Sequence, residues 1–121
     1  MERMEEYTLE GRSFVFLDLS MLKNNLELSM LVADVNAVIE KYPKASLHMI
    51  INIAEFKLDS ESIRIFEGSL SHIMEYTKSC AFIGVDGVKK MVVGAVAKRF
   101  GKTDIRFAFT RERATEMLLG G

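Results

Sequence analysis

The residues best placed to do chemistry are Asp59, Ser60 and Glu61. An apolar run, SLHMIINIAEF, passes through KLDSES into the helical pattern IRIFEG, which sets Ser60 at a helix start. A phosphate there would meet free backbone N–H groups and the positive end of the helix dipole. It would also add about two negative charges to a turn that already holds Glu55, Asp59 and Glu61. The plainer reading makes Asp59 or Ser60 the helix N-cap. The two readings differ in one observable, namely whether the Ser60 hydroxyl is spent on capping.

A second group follows from topology. In an open parallel sheet, ligands bind outside the carboxyl ends of the strands. That edge would gather Asp18, Ser20, Asn52, Glu55, Asp59, Ser60 and Asp86. Such acids could hold Mg²⁺, so a metal-dependent enzyme using Asp18, Asp59 and Asp86 is one reading. The segment GVDGVKK (84–90) places two glycines and two lysines at a strand-to-helix turn. It could hold a phosphate, but its spacing is neither a Walker A nor a dinucleotide fingerprint, and a plain βα turn explains it. His48 and His72 have no Cys or His partner at zinc-ligand spacing. Cys80 lies within the apolar run CAFI and reads as a buried structural thiol. No serine sits in a nucleophile-elbow pattern.

These residues need elements to position them. Residues 7–9, the turn Glu10-Gly11 and the dense run 13–19 predict an antiparallel hairpin. Leu28, Leu31, Val32, Val35, Ile39 and Tyr42 recur at helical spacing and predict a helix over 25–41, capped by Asn25 and stopped by Pro43. Strands are predicted at 46–53, 80–85 and 105–109, and helices at 59–78, 88–100 and from Thr110 onward. Gly101 is expected to close the third of these helices. The order β-β-α-β-α-β-α-β-α predicts a mostly parallel sheet of about five strands with one antiparallel N-terminal strand and four helices. The most apolar strands require cover on both faces. Met30, Met49, Met74, Met91 and Met117 all fall on expected core faces. The helix MVVGAVA (91–97) is apolar all round, so a face holding Val93, Ala97 and Phe100 is expected to meet another helix, a partner or an apolar ligand.

Bulk properties narrow the classes. A chain of 121 residues suits one domain, with an ordered core expected over about 7–119. Its 16 basic and 17 acidic residues leave a net charge of −1, without the basic surplus that nucleic-acid binding needs. One cysteine allows no internal disulfide and fits a cytoplasmic location. The start MERMEEY has no signal-peptide core, and no apolar run is long enough to span a membrane.

The layout resembles the STAS fold, named for sulphate transporters and anti-sigma-factor antagonists, and more closely its small bacterial members of unassigned function. EGRSFVFLDLSMLKNN, the turn LDSES and IGVDGVKKMVVGAVAKRFGK carry the likeness. A receiver domain is resembled poorly, since Asp18-Leu19-Ser20 lacks the adjacent acidic pair and Phe109-Thr110-Arg111 lacks the lysine. In anti-sigma-factor antagonists the turn reads Asp-Ser, then a small residue, then Gly, and its serine is phosphorylated by a partner kinase. The resemblance places that serine at Ser60, although Glu61 and Ser62 replace the small residue and the glycine.

The expectation is therefore a non-enzymatic STAS-like regulatory module of the bacterial cytoplasm, without a cofactor or metal. Its candidate phosphoacceptor is Ser60, and its partner-binding residues are Asp59, Ser60, Glu61 and Arg64. The protein partner would be a kinase-like anti-sigma factor or a transporter-associated protein. The alternative is a small apolar-ligand or lipid carrier of the same fold, with its site around Val93, Ala97 and Phe100.

Overall fold

The computed structural model describes residues 3–57, 59–99 and 105–120, apart from the side chains of Ala97 and Arg99. Strands β1 (Met4–Leu9) and β2 (Arg12–Asp18) form the antiparallel hairpin. Its two central residues, Glu10 and Gly11, both take left-handed φ angles of 49° and 75°, the geometry that matches strand twist in a two-residue turn. Next come α1 (Asn25–Ile39), β3 (Leu47–Asn52), α2 (Ser60–Tyr76), β4 (Thr77–Ile83), α3 (Gly87–Arg99), β5 (Ile105–Ala108) and α4 (Arg111–Leu119). The sheet order is β1-β2-β3-β4-β5, and every pair after the hairpin is parallel. The fold is thus the expected α/β architecture of five strands and four helices.

Alternation along the strands builds two cores. Val15, Leu17, Met49, Ile51 and Cys80 face α1, α2 and α3. Phe14, Ile50, Ala81 and Ile83 face the other way, against Ala114 and Leu118 of α4. The strands are apolar on successive positions because both faces are covered. On the α4 face, His48 stacks on Phe14, and Phe14 stacks on Tyr7, with ring centroids 5.1 and 5.3 Å apart. The His48 ring is buried, and its Nδ1 is hydrogen-bonded to Ser79 Oγ. Arg111 at the start of α4 lies over Phe16 and Tyr7 and pairs with Glu5 at 3.0 Å.

Several boundaries and faces differ from the sequence reading. The first strand begins at Met4, three residues earlier than expected, because Arg3 bonds the carbonyls of Asp18 and Ser20 and holds the chain beside β2. Asn24, not Asn25, caps α1, through its side chain on the Glu27 N–H. α2 stops at Tyr76, and β4 starts at the next residue without a loop. Thr77 is at once the C-cap of α2 and the first residue of the strand, and its hydroxyl donates to the Ile73 carbonyl. Opposite Leu47 and His48 the register slips, leaving Lys78 as a bulged residue between Thr77 and Ser79. Met30 and Met91, expected on core faces, are exposed at 62 % and 76 %, and Phe109 is exposed at 95 %. Phe109 follows the last paired residue, so strand alternation no longer governs it. Gly101 lies outside the described residues.

Candidate functional site

The turn between β3 and α2 is built around a cap. The Asp59 carboxylate accepts from the Ser62 N–H at 2.8 Å, and Ser62 Oγ accepts from the Asp59 N–H at 3.0 Å. This reciprocal capping box satisfies two of the donors that a helix start leaves open. The Ser62 hydroxyl also lies 3.1 Å from the Lys57 carbonyl and 3.0 Å from that of Asp59, and the side chain is only 1 % exposed. The Ser62 N–H, foremost, holds the Asp59 carboxyl below its ordinary range.

Ser60 takes no part in the box. It is the first residue of α2, exposed, and its hydroxyl has no hydrogen-bond partner among the described residues. Glu61 and Arg64 are exposed beside it, and Arg64 lies one helical turn on, the spacing at which side chains on a helix meet. Asp59, Ser60, Glu61 and Arg64 thus share one exposed helix start. Ser62 was not singled out in the sequence. Its signal was the spacing Asp-x-x-Ser, a capping box whose third position usually carries Glu or Gln.

The acids at the carboxyl edge have other duties. Asp18 accepts from the N–H and hydroxyl of Ser20. Asp86 caps α3 through the Lys89 N–H at 2.9 Å. Among the described residues no three His, Cys, Asp or Glu side chains converge where a metal could sit. Asp18, Asp59 and Asp86 therefore do not form the cation site considered from the sequence. The topology supplies a reason. A crevice forms at the carboxyl edge where the strand order reverses, whereas here β2 to β5 follow one another in sequence order. The first glycine of the 84–87 turn is also explained by the fold. Gly84 has φ +75°, and a Cβ on it would stand 2.6 Å from the Ala54 Cβ. Lys89, in the same segment, reaches across to the Ile53 carbonyl at 3.0 Å.

α2 and α3 stand far enough from the sheet to leave a cavity of about 70 Å³. Its lining is wholly apolar and includes Met49, Phe66, Leu70, Phe82, Val93 and Val96. Val93, expected to meet another helix, a partner or an apolar ligand, packs against the core and lines this cavity. The apolar outer positions of α3 are Val88 and Met91, 74 % and 76 % exposed. The Ala97 side chain and Phe100 lie outside the described residues. No helix among the described residues is long and apolar enough to cross a membrane. No protein-family model matches the chain, and no curated protein matches it.

Proposed function

We propose that the chain is a non-enzymatic, STAS-like protein-interaction module of the bacterial cytoplasm. Its working surface is the N-terminal turn of α2, and Ser60 is its phosphoacceptor. One observation carries the reading: Asp59 and Ser62 close the cap between them and leave the Ser60 hydroxyl exposed and uncommitted. A phosphate at this position would gain from the positive end of the helix and from Arg64, and would reach a partner without breaking the cap. Phosphopeptide mapping of the chain recovered from its own cells, beside affinity capture with Ser60→Asp and Ser60→Ala, tests it. A phosphate on Ser60 and a protein held by only one of the two variants are expected. An unmodified Ser60 together with identical capture by both variants overturns it.

The apolar cavity favours a second reading, a carrier of a small apolar guest. Ligand sites are usually about 300 Å³ or more, and about 150 Å³ admits benzene. At about 70 Å³ the cavity limits a guest to a few heavy atoms. Native mass spectrometry of the protein purified from its own cells separates this reading from the first.

A further inference from the structure

α1 is apolar on two sides. Leu28, Leu31, Val32, Val35 and Ile39 are buried against the sheet and α2. On the opposite side, Leu26, Met30, Ala33 and Ala37 recur at intervals of four, three and four residues, and all four are exposed. Leu26 and Met30 are 70 % and 62 % exposed. That spacing is the seam of a helix that packs on another helix, and the two alanines let a partner backbone come close.

What covers it can be read from the charge beside it. Between α1 and the free edge of β1 runs a groove of about 550 Å³, with Met4, Leu22 and Met30 among its lining. Glu6, Glu27 and Asp34 stand along it against one cation, Arg3. Arg3 is turned onto the carbonyls of Asp18 and Ser20, and Glu6 is held by Lys41 and Tyr42. Asp34 is exposed and has no ion-pair partner among the described residues. We propose that the outer face of α1, with this groove, docks an amphipathic helix of a protein partner, one whose apolar seam is flanked by Lys or Arg. A second copy of this chain fits worse, because two such faces in contact would set Asp34 and Glu27 against their own counterparts. This surface is independent of the Ser60 turn.

The probe is a capped synthetic helix of about 18 residues, with Leu at the four-three seam positions and Lys on the flanks, labelled for fluorescence anisotropy. A twin with Glu in place of Lys is the control. The Lys peptide is expected to bind the full chain with a Kd of about 10–100 μM, and the Glu twin at least about tenfold more weakly. Met30→Glu and Asp34→Lys, both at exposed positions, are each expected to weaken the Lys peptide by about tenfold or more with unchanged circular dichroism. Three results would overturn the proposal. One is no binding up to about 1 mM. Another is binding that neither substitution weakens. The third is a dimer in sedimentation that Met30→Glu dissociates, which would give the face to a second copy.

Discussion

Two serines, two residues apart, should respond unequally to the same substitution. In Ser62→Ala, the Asp59 N–H loses its acceptor, and the Lys57 carbonyl loses a donor 3.1 Å away. Because Ser62 is 1 % exposed, water cannot readily replace the hydroxyl. A buried group left without its partner costs about 1–3 kcal/mol, and loss of a capping interaction costs about 1 kcal/mol. A loss of about 1.5 kcal/mol is the working figure, equivalent to a fall in Tm of roughly 5–8 °C for a domain of this size. In Ser60→Ala nothing in the fold is lost, and the change should stay within about 0.5 kcal/mol. Ser60→Asp should melt at or slightly above the parent, since an acid at a helix start contributes about 0.3–1 kcal/mol. Thermal melts by circular dichroism, checked by urea unfolding, read all three. If Ser60→Ala melts as low as Ser62→Ala, the Ser60 hydroxyl is committed to the cap. Ser60 would then not be a free acceptor.

Other outcomes can be checked on the same protein. Burial foremost, then the Arg12 and Lys78 cations, holds the His48 imidazole below its ordinary value of 6.5. A depressed histidine takes up its proton more readily when unfolded, so its share of stability is lost as pH falls below about 6.5. Proton NMR should show the ring titrating below 6.5, and a titration at or above that value would refute the burial argument. The Tyr42 hydroxyl, 2.6 Å from Glu6, is pushed up to about 12 mainly by that hydrogen bond. Ultraviolet titration should therefore find one tyrosine ionising well after an ordinary phenol, and Glu6→Gln should advance it. Gly84→Ala should destabilise the fold by more than about 1 kcal/mol, since the new methyl meets Ala54 and φ is +75°. A neutral result in urea unfolding would deny the close approach. Val96→Ile adds one methylene beside the cavity and should raise stability by up to about 0.8 kcal/mol. A fall would mean that the space is not open to it.

Most of the fold was legible because periodicity is long-range in its effect and local in its signature. The buried stripe of α1 and the apolar strands could each be read from neighbours a few residues apart. What escaped had its cause elsewhere in the chain. Met4 belongs to a strand because Arg3 reaches the end of β2 at Asp18 and the carbonyl of Ser20 just beyond it, seventeen residues away. Val93 faces inward although the helix around it is apolar on every side, so its pattern could not say which face meets the sheet. The outer stripe of α1 was hidden for a similar reason, since one helix carried two apolar faces and the stronger one was read. At the Ser60 turn, the residue types announced a cap and a hydroxyl near it. The spacing Asp-x-x-Ser pointed to the pair, and the geometry shows that Asp59 and Ser62 share the cap and omit Ser60.

The junction of α2 and β4 also limits how the chain can change length in evolution. Helix and strand meet with no residue between them, and the bulge at Lys78 absorbs the mismatch between their periods. Deleting Lys78 would remove the extra residue and leave a regular ladder, with Leu47 opposite Thr77 and His48 opposite Ser79. Loss of a second residue has no such outlet. Either Ala81 and Ile83 would exchange faces with Cys80 and Phe82, turning both cores inside out, or α2 would turn by about 100° about its own axis, lifting Leu70, Ile73 and Met74 out of the core. Descendants of this sequence can lengthen or shorten the chain after β2 or β3, but the stretch from Ile73 to Cys80 can give up only its bulge.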